Sequence, residues 1–434
     1  MNKSKYFAGR LTILLICLSS VFYSGNSQNT VSSPYSRFGL GDLYWKGFGQ
    51  SKAMGGIGIG INDKRHLNMI NPASYNSMDS GVDSMSVTFE FGLSDRISKF
   101  KTNNYSETAN NASFSYLAIG FPVSKKMAAS IGVIPYSNVG YDINDIQTFN
   151  SIGDVNYNYS GTGGISQFYI GGAVEPVKNL SLGLNFSYLF GSLEQGKSIT
   201  FPEEVDFLNS SKTDKTIISD VIFDFGLQYS IDFNNDRKLT IGGIYGNKTN
   251  LDVRHDMTII NYAGTVKDTI SDINNEPNLI SLPGNFGLGF TFGEEDKFTF
   301  GADYYQQNWE NTSFLGKKDS LANSNRISFG MEFVPDYRSL NNYFQRVRYR
   351  VGGHISNTYL QLRGNQLNEI GLSLGLSLPL AKTQYNSLSE TSINISFEFG
   401  KRGTLENNLL KENYAIIGLN LTLQDVWFKK RKWN

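Results

Sequence analysis

The sequence is poor in cysteine, histidine, proline and uncompensated charge, and each shortage removes a class of function. Its single cysteine, Cys17, lies near the start, so the chain beyond it can form no disulfide, zinc–thiolate cluster or thiol nucleophile. The three histidines, His66, His255 and His354, show no HExxH or other metal spacing. Neither a GxSxG elbow nor a Walker loop occurs. Residues 232–236 (DFNND) begin like a calcium loop, but Arg237 replaces the required glycine and Gly243 occupies the acidic twelfth position. No catalytic residue, metal or cofactor is therefore expected. Lys+Arg and Asp+Glu number 39 each, so no net charge draws the chain toward nucleic acid. Beyond the first 27 residues no run of 18 apolar residues appears, which excludes a helical span. A β-strand span needs only about 9–11 residues, with every second one apolar.

What is present begins with a leader. Lys3, Lys5 and Arg10 precede an apolar stretch over 11–23, and Gly25 and Ser27 supply small residues before Gln28. This pattern reads as a signal peptide over 1–27. The apolar run is too short for a membrane anchor, and Ile16 stands where a lipoprotein signal would need a small residue before Cys17. Without the leader, 36 Lys+Arg face 39 Asp+Glu. Aromatics make up 13% of the chain, with 44 glycines against 10 prolines, a composition suited to sheet rather than helix.

From residue 83 onward, apolar and polar side chains alternate. The clearest run is Leu180, Leu182, Leu184, Phe186, Tyr188, Phe190, with Ser181, Gly183, Asn185 and Ser187 between them. Fourteen such segments can be counted, from Val87–Phe91 to Ile417–Leu423. Short turns follow every second segment, as at 122–126, 175–179, 232–236 and 293–296, with longer ones at 335–345 and 379–388. The other connections, 94–111, 138–163, 191–215, 247–282 and 306–325, read as long polar loops. A water-soluble sandwich also alternates, but short turns in phase with long loops mark an antiparallel outer-membrane barrel. The expected fold class is all-β: a transmembrane barrel of about 14 strands over 83–428, with a basic tail over 429–434.

Residues 28–82 lack this alternation. They are glycine-rich, with Gly55 and Gly56 among seven glycines between 41 and 60, and they carry Asn71, Pro72 and Ala73. Their Ile and aromatic content argues against a disordered leader. The expectation is an ordered hatch inside the barrel lumen. An irregular glycine-rich segment, an Asn-Pro-Ala tripeptide just ahead of the first strand and about fourteen strands together resemble the FadL/OmpP1/TodX family of outer-membrane transporters. The ending 425–432 resembles that of many Bacteroidetes members. The resemblance implies passive uptake of hydrophobic molecules such as long-chain fatty acids, a hatch or gate that includes Gly55, Gly56, Asn71, Pro72 and Ala73, and a lateral opening at a kinked third strand.

Pro135, flanked by Gly132 and Gly140, is the physical candidate for that kink, because proline donates no ladder hydrogen bond. It could equally just end the strand. Glu332, Arg348 and Arg350 fall on polar faces of adjacent strands and are expected to form a lumen ion network, with Glu90, His354 and Glu398 on similar faces. Their alternative use is to hold a carboxylate ligand. Trp309, Phe314 and Leu315 in the loop 308–323 would either line a pocket or pack the loop. The expected partners are outer-membrane lipid, a hydrophobic ligand, or outer-membrane and periplasmic proteins, with no nucleic acid. Two uses remain open: a channel for hydrophobic molecules, or a sealed barrel subunit of an assembly or secretion complex. The turn 335–345, bearing Tyr337 and Tyr343, is the expected place for a protein partner.

Overall fold

The computed structural model describes residues 33–78, 85–233, 236–316, 321–380 and 391–427. The expected signal peptide, the ends of the expected hatch and the basic tail lie outside the described residues. Within the leader to the barrel are a two-residue strand, β1 (Asp42–Leu43), and a short helix, α1 (Gly49–Ala53). The first barrel strands are β2 (Met85–Lys101), β3 (Ser106–Ser124), β4 (Met127–Phe149), β5 (Gly153–Val177), β6 (Leu180–Thr200), β7 (Asn209–Phe233) and β8 (Arg237–Gly246). A hairpin follows, β9 (Thr249–Ala263) with β10 (Val266–Leu282). The wall then resumes with β11 (Asn285–Glu294), β12 (Phe298–Gln307), β13 (Ser324–Phe333), β14 (Arg348–Leu362), β15 (Asn365–Pro379), β16 (Ser392–Gly403) and β17 (Lys411–Trp427).

Fourteen of these strands, β2–β8 and β11–β17, pair antiparallel around a closed ring. The seam is the β17–β2 ladder, from Lys411↔Lys101 to Trp427↔Met85. Alternation fixes which face points where, because a one-residue slip would invert every side chain. On β6, Leu182, Leu184, Phe186, Tyr188 and Phe190 are 38–41% exposed, whereas Asn185 and Ser187 are wholly buried. The same outward apolar band appears at Phe225, Leu227, Phe290, Phe329, Leu372, Phe399 and Ile417. A continuous belt of this kind is unstable in water and matches the hydrocarbon zone of a bilayer. The barrel therefore spans a membrane, and its short turns mark the periplasmic end.

One expectation is corrected. Most of the segments read as long outer loops are strand. The β4–β5 ladder runs to Phe149↔Gly153, β6–β7 to Ile199↔Ser210, and β9–β10 to Ala263↔Val266. Above the bilayer the outer face of a strand meets water, and the inner face carries only scattered apolar residues such as Val139, Tyr141 and Leu193, so the lipid-facing period vanishes while the backbone ladder persists. The result is a six-stranded wing, β4-β5-β6-β7-β9-β10, standing over one side of the barrel. Among the described residues β10 pairs only with β9 along most of its length. Residues 138–163, 191–218 and 249–282 of this wing hold thirteen Asp and Glu against five Lys and Arg.

Candidate functional site: the plugged lumen

Residues 33–78 run inside the barrel from its outer half toward the periplasmic turns. Met54, Ile57, Ile59, Asn71 and Ala73 are completely buried. The wall meets this plug with glycines on its inner face. A Cβ on Gly120 of β3 would strike Leu67, on Gly171 of β5 Tyr75, on Gly183 of β6 Ala73, and on Gly226 of β7 Asn71. Gly242 of β8 faces Ile59, Gly301 of β12 faces Ile57, Gly330 of β13 and Gly352 of β14 face Met54, and Gly375 of β15 faces Ala53. At Gly183, Gly242, Gly330 and Gly352 the wall meets the plug's main chain at closer range than any side chain would permit, and at the others it meets plug side chains.

Polar bolts fill the positions between these contacts. Asp303 Oδ2 accepts the backbone N–H groups of Gly58 (2.6 Å) and Ile59 (2.8 Å). Gln228 Nε2 donates to the carbonyls of Ile59 and Ile61, and Thr291 Oγ1 to that of Gly60. Asn71 caps the short 3-10 helix Pro72–Ser77 through Ala73 N–H. Its amide also donates to Ile59 O (2.8 Å) and to Leu227 O on β7 (3.0 Å). A buried amide with all its hydrogen bonds made both rigidifies and specifies a structure.

The expected gate residues therefore lie at this seal. Gly55 and Gly56 adopt φ of +70° and +89°, a region that favours glycine. A Cβ at Gly55 would also run into backbone atoms of Gly353 and Phe329. Gly56 O accepts Trp45 Nε1 at 2.8 Å, and the Arg326 guanidinium lies 4.7 Å over the Trp45 ring.

The structure brings Glu332, Arg348 and Arg350 together and joins them to the plug. Arg350 Nε donates to Glu332 Oε2 at 2.6 Å, and Arg348 Nη1 to Oε1 at 3.2 Å. Arg350 Nη2 lies 3.2 Å from His66 Nε2, and His66 Nδ1 lies 3.2 Å from Glu90 Oε1. Glu90 also accepts the backbone N–H of Leu67. Asp296, in the turn below, accepts from both Arg348 and Arg65. Burial alone would raise the Asp63 carboxyl, but Arg65, His66 and Arg348 outweigh it and hold it well below the usual carboxylate range. A group depressed in this way contributes stability above its unfolded pKa of about 3.9, lost only as pH falls through the lower folded value. The lower seal should survive acidification from pH 7 to 5.

Lys52 behaves in the opposite sense. Burial pulls its pKa down to about 8, against the raising influence of Glu398, and its ammonium lies 5.8 Å over the Tyr116 ring. The unfolded chain holds this proton up to about 10.4, so stability rises with pH between the two values and the penalty is constant below the lower one. Lys52→Met is expected to exceed the wild type in thermal stability at pH 7, with the gap closing toward about pH 10. A pH-independent difference between the two melting curves would contradict this.

Pro135 does not end its strand, which continues to Phe149. Instead the β3–β4 ladder stops at Leu117↔Val133, and the β4–β5 register shifts between Pro135 and Ser137. The missing N–H is tolerated because β4 has already parted from β3. Above this break β4 takes the plug as its neighbour, with Asn138↔Asp42 and Ser137↔Leu43 paired. Gly140 accepts from Ser33 N and donates to Ser36 Oγ. Gly132, paired with Ala118, lies in the intact ladder just below.

A cavity of ≈190 Å³ lies above the seal, reached by Leu43, Tyr44, Trp45, Tyr136, Tyr305 and Tyr359. Asp42, Lys46, Asp224, Arg326, Glu369 and Arg402 also line it, and Lys46 Nζ pairs with Asp224 at 2.7 Å. Farther out the lumen is filled by an apolar core of Tyr35, Leu40, Tyr141, Leu189, Leu193 and their neighbours. Trp309 belongs to that core at 2% exposure and stacks on Tyr359 at 4.7 Å, with Phe314 and Leu315 packed beside it. These three residues pack the loop. A second, polar recess of ≈990 Å³ opens at the periplasmic turns among Asp63, Arg65, Lys238, Glu294 and Arg338.

One cluster escaped the sequence reading. His354, Glu369 and Glu398 come from three adjacent strands and place their ligand-type atoms within 4.8 Å of one another. Their spacing in the chain follows no metal motif, and only the strand register reveals it.

A family model described as BamG matches residues 10–434. No curated protein sequence matches. Among solved structures, the toluene transporter TodX of P. putida superposes with a TM-score of 0.57 at 14% identity, covering 90% of this chain and 100% of the other. The toluene transporter TbuX of Ralstonia pickettii gives 0.57 at 14%, covering 87% and 98%. A FadL homologue from Pseudomonas aeruginosa gives 0.52 at 12%, covering 88% and 98%. The chain shares their fold.

Proposed function

The chain belongs to the BamG family, and on that premise we propose that it is a permanently plugged outer-membrane barrel serving as an accessory subunit of an outer-membrane protein assembly or secretion complex. The ring of inward glycines set against the plug carries this reading. A gate that opens needs slack, whereas here inward glycines of nine strands face the plug, four of them (Gly183, Gly242, Gly330 and Gly352) against its main chain, and buried hydrogen bonds bolt the contact. The apolar core above it closes the outer mouth as the interior of a soluble domain would. Both rims carry surface suited to a partner. The turn between β13 and β14 exposes Leu340 (75%) and Phe344 (70%), more than isolated surface residues require. On the opposite rim the acidic wing presents the β10 edge, a natural site for strand addition.

Planar-bilayer recordings of the purified protein are expected to show no channel steps, and purification in mild detergent to yield stoichiometric partner proteins. Steady open-channel current, or a lone monodisperse barrel, would sink the proposal.

A second reading is favoured by one observation. The cavity above the seal reaches Leu43, Tyr44 and Tyr136, beside the parted β3–β4 wall at Pro135. A small hydrophobic molecule, a long-chain fatty acid in the finer version, would pass from that cavity through the breach. Six charged residues line the space, and its volume falls below the roughly 300–1,000 Å³ usual for small-molecule sites. Fatty-acid uptake should be unchanged in a deletion strain under the first reading and depressed severalfold under the second.

A further inference from the structure

We propose that His354, Glu369 and Glu398 form a binding site for one divalent transition-metal ion, of which zinc fits the donor set best. The site is built by register. His354 on β14 stands opposite Gly371 on β15, and Ser373 on β15 stands opposite Glu398 on β16. Glu369, Gly371 and Ser373 alternate along one face of β15, so the imidazole lies over Gly371 between the two carboxylates. A Cβ at position 371 would collide with the imidazole ring, so glycine there makes the space for it.

Two independent features point to a missing ligand. First, the side chain of His354 is 1% exposed, yet neither ring nitrogen has a hydrogen-bond partner among the described residues. Its nearest acid, Glu369 Oε1, is 3.7 Å from Nε2. An unsatisfied buried polar group costs about 1–3 kcal/mol, which a metal bond at one nitrogen would relieve. Second, two carboxylates converge there, and among the described residues neither is ion-paired with a lysine or arginine at contact distance. Arg402 and Arg96 lie near Glu369, but their guanidinium groups are bonded to Asp42 and Glu412, and Lys52 of α1 lies toward Glu398.

The carboxylates are already oriented as ligands. Tyr414 Oη donates its hydrogen to Glu369 Oε1 at 2.5 Å and lies 3.2 Å from Glu398 Oε1, and Ser373 Oγ donates to Glu398 Oε2 at 3.2 Å. Such outer partners hold metal-binding carboxylates in place. Zinc–nitrogen and zinc–oxygen bonds of about 2.0–2.1 Å put tetrahedral neighbours roughly 3.4 Å apart. The His354–Glu369 separation of 3.7 Å already approaches that value, and small rotations would bring Glu398 in. One imidazole with two carboxylates is a borderline-to-hard set that suits zinc, with water in the fourth position. The ion would tie β14, β15 and β16 together beside α1 of the plug.

The test uses the full-length mature protein in detergent, stripped with chelator and titrated with zinc chloride, with metal content read by mass spectrometry. About one zinc per chain is expected in the wild type, and Glu398→Gln or His354→Asn should weaken binding at least tenfold. Cobalt substitution supplies a second readout, since a tetrahedral site with one imidazole gives a visible ligand-field band that needs no mutant to fold. Failure of the wild type to take up zinc or cobalt would overturn the proposal and leave His354 as a buried partner of Glu369. Equal metal uptake in the variants would overturn it too, placing the ions on the acidic wing. Neither outcome bears on the conductance and co-purification results that test the barrel's role.

Discussion

Gly352→Val is expected to abolish the folded barrel, leaving a protein that no longer shows heat-modifiable migration and falls at least tenfold in outer-membrane abundance. A Cβ at this position would sit on the backbone of Met54 and Gly55. A flexible side chain can rotate away from such a clash, but a packed backbone cannot. Overpacking ordinarily costs about 1–3 kcal/mol, and a collision with a fixed main chain belongs at or beyond the upper end. The control is Gly172→Ala on β5, whose Cβ would find only Ala128 O, at 3.8 Å. That change should leave folding and abundance unaltered. If both variants fold equally well, the plug is not pressed against its wall and the case for a permanent seal falls.

The second large effect is expected from Arg350→Met. Arg350 is fully buried in its side chain and bridges Glu332, Asn394 and His66. Removing it leaves the Glu332 carboxylate buried and facing Arg348 alone. Breaking one half of a buried pair costs about 3–5 kcal/mol, whereas replacing both halves with apolar residues is often close to neutral. The double variant Glu332→Met with Arg350→Met should therefore recover much of the loss, although Arg348 then loses one of its acids while keeping Asp296. Thermal unfolding in detergent measures both, and trypsin cleavage after Lys64 or Arg65 reports whether the lower plug has loosened. A single variant within about 0.5 kcal/mol of wild type would make the network ornamental.

The membrane-spanning part of the fold is legible in the sequence because lipid imposes the simplest of patterns. Every segment from Val87–Phe91 to Ile417–Leu423 that alternates in the sequence is a wall strand in the structure. Legibility ends where lipid ends. Residues 138–163 look like a polar loop because the outer face of β4 and β5 is polar there and the inner face carries only a few apolar residues, such as Val139, Tyr141 and Ile143, yet they form a continuous ladder. The pairing of Glu332 with Arg350 was accessible, since adjacent strands with opposite charges at polar positions are directly comparable, and the register places them face to face. Their link to His66 was not, because the path of an irregular plug leaves no period to read. Pro135 was visible as a disturbance but not as a parting of β4 from β3, which depends on where the plug offers a replacement partner. His354 and Glu398 are legible only as separate polar-face residues and Glu369 not at all, and their convergence over Gly371 is set by strand stagger alone.

The glycine contacts also fix an order of events. A segment clasped on nine strands, with β1 hydrogen-bonded to β4, cannot be threaded through a finished ring. Residues 33–78, made before any wall strand, must already be lying in the nascent sheet when the β17–β2 ladder joins the two ends of the wall. Residues 33–78 are thus a mandrel around which the cylinder is wound, and whatever machinery inserts this protein must admit a sheet that is already carrying its contents.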